Sequence, residues 1–154
     1  MIETGNSPTT QPQVALWENW MELWNGNYAI ADKIVADKVR LHLPKYGMPD
    51  PATIRDRVDL VAWIAAYRSS YADGSLIATE LGPFVTDEHI ICRWIYQGIW
   101  QSGRPASASA APGTRVTLRG VDILRLEDGR IAEYWLSDDL LDVYVQLSAS
   151  LPTP

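Results

Sequence analysis

One carboxylate stands where the pattern around it is apolar. The run from Arg115 to Leu126 alternates in type: Arg115, Thr117, Arg119, Val121, Ile123 and Arg125 form one set, and Val116, Leu118, Gly120, Asp122, Leu124 and Leu126 the other. In an extended chain the two sets point to opposite faces of a sheet. The second set is apolar except for Asp122. A carboxylate on such a face must be hydrogen-bonded, take up a proton, or line a cavity that a ligand reaches. Two readings stay open at this level. Asp122 is a structural acid bonded to a buried Trp N–H or Tyr O–H, or it is a functional acid in a pocket.

The run from Ile90 to Trp100 alternates in the same way, with Ile90, Cys92, Trp94, Tyr96 and Gly98 on one face. Trp94 and Tyr96 beside an inward Asp122 would wall an aromatic cavity. Core packing accounts for any single aromatic residue; the argument rests on their number, seven Trp and seven Tyr against one Phe. Each brings a large apolar body with a polar tip, which suits a pocket as well as a core. Cys92 is the only cysteine, so no intrachain disulfide forms, and it reads as a small buried hydrophobe. The only histidines are His42 and His89, which leaves no Cys/His cluster for a metal. His42 is a secondary catalytic candidate, although alternation with Leu43 turns it away from any pocket Leu43 would line. There is no G-x-G-x-x-G and no phosphate loop, so no cofactor is expected.

These residues need elements to position them. Apolar spacing over Val14 to Trp24 predicts a helix, stopped by Asn25-Gly26-Asn27. A second short helix is predicted over 28–36 and a strand over 39–43. Gly47, Pro49 and Pro51 make 45–53 a loop, placed over a pocket mouth. Leu60, Trp63, Ile64 and Tyr67 form the apolar stripe of a third helix over 54–71. Strands are predicted over 76–85, 90–100, 115–126 and 130–137. Asp128-Gly129 supplies the tight turn between the last two. Residues 101–113 read as a long flexible connection. Asp138 and Asp139, after Ser137, read as the N-terminus of a closing helix over 138–147. Helices first and antiparallel strands after is an α+β order, with helices packed on one face of the sheet.

The 154 residues suit one domain, with a disordered lead-in over 1–13, the domain over 14–148 and a flexible tail over 149–154. A net charge of −6 with scattered Lys and Arg argues against nucleic-acid binding. No apolar run is long enough to span a membrane, and no signal pattern opens the chain. A cytoplasmic location is the default.

The run Gly120-Val121-Asp122-Ile123-Leu124-Arg125-Leu126-Glu127-Asp128-Gly129-Arg130-Ile131-Ala132-Glu133-Tyr134-Trp135 resembles the C-terminal hairpin of SnoaL-like polyketide cyclases, relatives of ketosteroid isomerase in the nuclear transport factor 2-like superfamily. Leu60-Val61-x-Trp63, Arg93-Trp94 and Gln97-Gly98 add to the likeness, which covers about residues 14 to 148. It implies a cone-shaped fold: a strongly curved antiparallel sheet and three N-terminal helices enclose an apolar pocket, and dimers form through the sheet's outer face. It places Asp122 where ketosteroid isomerase keeps an acid that donates a hydrogen bond to the enolate oxygen. It places apolar Leu43 and Leu136 where relatives keep carboxylates, and Asn19 near a pocket Tyr of the first helix. A shift at the last strand would let Asp138 supply an acid.

The resulting expectation is a cofactor-independent cyclase or isomerase acting on a small hydrophobic polyketide- or terpenoid-type substrate, as a homodimer. Asp122 would be its lone general acid or hydrogen-bond donor. Asn19, Leu43, Leu60, Trp63, Tyr67, Cys92, Trp94, Tyr96, Tyr134 and Leu136 would line the pocket. A dehydratase or epoxide hydrolase of the same fold, or a non-catalytic ligand-binding or dimerisation module, are the alternatives.

Overall fold

The computed structural model describes residues 11–152. Of the lead-in expected over 1–13, residues 1–10 lie outside the described part, and 11–13 already belong to a helix. Helix α1 spans Gln11–Trp24 and buries Trp17, Trp20, Met21, Leu23 and Trp24 on one face. It starts three residues earlier than its apolar spacing indicates. Pro12 is tolerated there because an N–H in the first turn has no helical partner to lose. Gly26, with φ +103°, ends it in the left-handed region.

The predicted second helix is shorter than its sequence suggests. A 3₁₀ turn over Tyr28–Ile30 leads into α2, Ala31–Ile34, and strand β1 takes over at Val35 and runs to His42. Val35 is fully buried and sits opposite Ile131 of β5, the strand Arg130–Asp138. That pairing overrides the local helical pattern. Helix α3, Arg57–Arg68, is capped by Asp56, whose side chain accepts from the Asp59 N–H. It buries Leu60, Trp63 and Ile64 and stops short of the predicted 54–71 range at both ends.

Strands β2 (Leu76–Val85), β3 (His89–Trp100) and β4 (Thr114–Glu127) complete a five-stranded sheet in the order β1-β5-β4-β3-β2. Four strands run antiparallel in sequence, but β1 joins β5 in parallel, so the sheet is mixed rather than antiparallel throughout. Asp128 (φ 50°) and Gly129 (φ 74°) turn β4 into β5, the conformation a two-residue hairpin requires. The sheet is curved and unclosed. One face carries Trp94, Tyr96, Leu118, Asp122, Leu124 and Tyr134, all buried.

Residues 101–113 are tied down rather than free. Trp100 Nε1 donates to Arg104 O, Arg104 N to Ser70 Oγ, and the amides of Ser109 and Ala110 to Leu147 O. Helix α4, Leu140–Gln146, starts later than predicted and is held to β4 by the Gln146 side chain, which bonds both backbone groups of Thr117. Among the described residues no helix is long and apolar enough to cross a membrane, and no group of three or more His, Cys, Asp or Glu is placed to hold a metal ion.

Candidate active site

Asp122 is 1% exposed, at the middle of β4. Three donors from three elements reach it. Trp20 Nε1 of α1 donates to Oδ2 at 2.8 Å, Trp94 Nε1 of β3 to Oδ1 at 2.8 Å, and Tyr134 OH of β5 to Oδ1 at 3.0 Å. Burial pushes its carboxyl up to about 7 against the pull of these donors, and the nearby charge of Asp138 adds to the rise. The structural reading from the sequence is therefore met, and Asp122 also lines a cavity.

The Trp94 contact depends on a missing side chain. Trp94 sits opposite Gly120, and a Cβ at Gly120 would lie 2.3 Å from Trp94 Cζ2. The bare backbone lets the indole lie across β4 and swing Nε1 onto Asp122. Gly120→Ala should therefore destabilise the fold by ~1–3 kcal/mol, the usual cost of overpacking. Urea unfolding monitored by Trp fluorescence measures the loss; an unchanged midpoint would show that the indole does not need the glycine.

The cavity behind Asp122 is small, about 30 Å³, room for roughly two water molecules. Of the residues singled out from sequence, Trp63, Tyr67, Trp94, Tyr96, Tyr134 and Leu136 line it. Trp24, Met48, Ile77 and Leu118 line it too. Outside it opens a cleft of about 370 Å³, bounded by Gly47, Pro49, Tyr71, Arg104, Leu140 and Tyr144. Met48, Trp63 and Tyr67 belong to both spaces and form the threshold between them. The outer cleft has the size of an ordinary small-molecule site. The 45–53 loop lies at this mouth, and Gly47, with φ +76°, lets it settle onto Leu140 and Tyr144 of α4.

Asp138 changes the picture drawn from sequence. It ends β5, opposite Gly120, and shares the inward face with Tyr134 and Leu136. It is not the start of the closing helix. Its Oδ1 is buried without a hydrogen-bond partner. Burial pushes its carboxyl up to about 6, opposed by the Leu140 backbone N–H and helped by the charge of Asp139. The cavity thus holds two carboxyl groups, and the expectation of a lone acid is corrected.

Five other residues fall outside the cavity. Asn19 is half-buried on α1, one position before Trp20, the residue that makes the contact. Leu43 follows β1 and packs half-buried against the core, because β1 pairs in parallel with β5 at the edge of the sheet, with its register shifted between Val35 and Arg40. Leu60 is fully buried core. Cys92, opposite Asp122, donates its thiol to Leu81 O at 3.1 Å, and burial pushes that thiol up to about 12, which leaves it unreactive. His42 lies on the other side of the sheet, stacked on Trp135 at 4.7 Å and bonded to Glu133 at 2.7 Å. One sign in the sequence points to Trp20, since a buried carboxylate requires N–H or O–H donors. Met48 is signalled only through its loop, expected over a pocket mouth.

The family model described as "SnoaL-like domain" matches residues 17–134. The fold is shared with TsrD from Streptomyces laurentii, at 23% identity and TM-score 0.76 over 90% of this chain and 96% of that one. A candidate SnoaL-like polyketide cyclase from Jannaschia sp. CCS1 superposes with TM-score 0.76 at 16% identity, over 94% of this chain and 97% of its own. IdmH from Streptomyces antibioticus, a candidate polyketide cyclase, does so with TM-score 0.74 at 20% identity, over 90% and 99%. No curated protein matches the chain at a significant level.

Proposed function

Because the chain belongs to the SnoaL-like domain family, we propose that it is a cyclase or isomerase that moves a proton on a hydrophobic natural-product intermediate. The observation that carries this reading is the carboxyl pair: Asp122 and Asp138 line one aromatic cavity, and burial lifts both toward neutrality. Carboxyls that titrate near the working pH are suited to general acid–base catalysis.

The two acids divide the work. Asp138 has a buried oxygen without a partner, so it can take a proton from a carbon next to a carbonyl. Asp122 has both oxygens engaged and acts as a positioning residue that holds Trp20, Trp94 and Tyr134. In an isomerisation, the proton that Asp138 removes returns to a different carbon of the enolate. In a cyclisation, the enolate carbon bonds to a second carbonyl carbon of the same chain, and the proton ends on the new alkoxide. Either route consumes no water and needs no second substrate. Dimerisation through the outer face of the sheet remains part of the proposal.

Deuterium exchange tests the reading without knowledge of the natural substrate. A flat bicyclic ketone, 2-tetralone, should exchange its activated C–H protons in D₂O faster with protein than with the same concentration of carboxylate buffer, followed by NMR. Exchange at the buffer rate would sink the assignment.

A further inference from the structure

Among the described residues, five buried side-chain polar atoms lack a hydrogen-bond partner, and four of them belong to residues that line the inner cavity: Trp24 Nε1, Tyr67 OH, Tyr96 OH and Asp138 Oδ1. Trp24 is 9% exposed and Tyr96 3%, so solvent does little for either. Buried polar groups left unpaired are rare in folded proteins, and each one weakens the fold. Their grouping is not scattered. Trp24 meets Tyr67 edge to face at 6.1 Å, and Tyr67 meets Tyr96 at 5.7 Å, so three polar tips sit on one continuous aromatic wall.

The chemistry of the set is one-sided. An indole N–H only donates, and a phenol donates readily. Burial raises both phenols above their usual value, so they keep their protons at neutral pH. Facing them in the same cavity is the one unpaired acceptor, Asp138. Donors on one wall and a carboxyl on another fit a group that carries an oxygen next to an acidic C–H, with the oxygen on the donors and the C–H toward the carboxyl.

We propose that Trp24 Nε1, Tyr67 OH and Tyr96 OH receive a substrate oxygen in the inner cavity, so that the ligand enters oxygen first and leaves its flat apolar body in the outer cleft. The volumes agree with this division. About 30 Å³ accepts an oxygen and its carbon but not a ring system, whereas about 370 Å³ accepts the rings. The threshold residue Tyr67 touches both parts. The inference deepens the proton-transfer reading and rests on it for the identity of the oxygen as that of an enol or enolate. Its donors differ from those on Asp122: those are fully engaged, while Trp24 Nε1 has no partner and the phenols have only a neighbouring hydroxyl each, Tyr71 beside Tyr67 and Ser75 beside Tyr96.

The test compares two probes of one outline, 2-naphthol and naphthalene, by titration of intrinsic Trp fluorescence. Wild type should bind 2-naphthol at least tenfold more tightly. In the double variant Tyr67→Phe/Tyr96→Phe that preference should shrink several-fold, while the melting temperature of the free protein rises, because two unpaired hydroxyls have been removed. A merely structural pair of tyrosines would do the reverse and lower the melting temperature. Equal binding of the two probes by wild type would overturn the proposal, as would a double variant that keeps the full preference. Asp138→Asn should retain the naphthol preference. Loss of exchange activity with that preference intact separates a failure of catalysis from a failure of recognition.

Discussion

Asp138→Asn should slow the exchange of 2-tetralone by about 100-fold or more, the range of general-base contributions. The amide keeps the size and position of the carboxyl but cannot take the proton. The pH dependence carries the sign. With its carboxyl raised to about 6, Asp138 is protonated and idle as a base well below that pH, and ionised above it. The wild-type rate should therefore climb with pH through about 6 and level off above, and the variant should show no such rise. The fold should survive, because Oδ1 makes no hydrogen bond that the amide would lose. The variant is expected to be at least as stable as wild type in urea at neutral pH, because its amide does not have to ionise while buried. A rate within threefold of wild type would remove Asp138 as the base and return that role to Asp122.

How far the sequence reaches is clearest at these two acids. Asp122 is legible because its information is local: alternation over twelve residues sets its face, and the face sets its surroundings. Asp138 is not legible in the same way. Ser137-Asp138-Asp139 carries a helix-start signal, and local chemistry alone favours it. The pairing of Asp138 with Gly120, carried one residue past the expected end of the strand, decides otherwise. Leu43 misses for a related reason. Its place depends on β1 joining β5 in parallel with an irregular register between Val35 and Arg40, which no local pattern encodes. Trp20 and Asn19 differ by one position on a helix, about 100° of rotation, so a loose alignment there selects the wrong side. The strands β2 to β5 and the apolar helix faces follow from period and turn chemistry, whereas the first half of β1 does not. What escapes is long-range register, which is where the site is assembled.

The same burial that poises Asp122 should tax the fold as pH rises. In the unfolded chain its carboxyl titrates near the usual value of 3.8; in the folded chain it is raised to about 7. Between these values the folded state holds a proton that the unfolded state has released, so stability declines as pH increases. The contribution is fully present below about pH 4, falls by at most ~1.4 kcal/mol per pH unit, and is lost above about 7, a total of ~4 kcal/mol. Asp138 is raised as well and acts in the same direction. Glu80 and Glu133 are lowered, each chiefly by a hydrogen bond from an arginine, Arg119 and Arg125 respectively, so they lose stability only as pH falls through the carboxylate range. Maximum stability should consequently lie near pH 4 to 5, on the acid side of what a protein without buried acids would show. Asp122→Asn isolates the effect. Its amide does not titrate, so most of the slope between pH 4.5 and 7.5 should vanish. The variant should also be less stable at pH 4.5, by ~1–3 kcal/mol, because the amide nitrogen faces an indole N–H that then lacks an acceptor. Urea unfolding across that range measures both. A wild-type stability that stays level from pH 4.5 to 7.5 would mean that the Trp20, Trp94 and Tyr134 donors outweigh burial and hold Asp122 as a carboxylate throughout. In that case the charge beside Asp138 would be permanent, and the proton affinity of the base would be set by its neighbour as much as by the apolar walls.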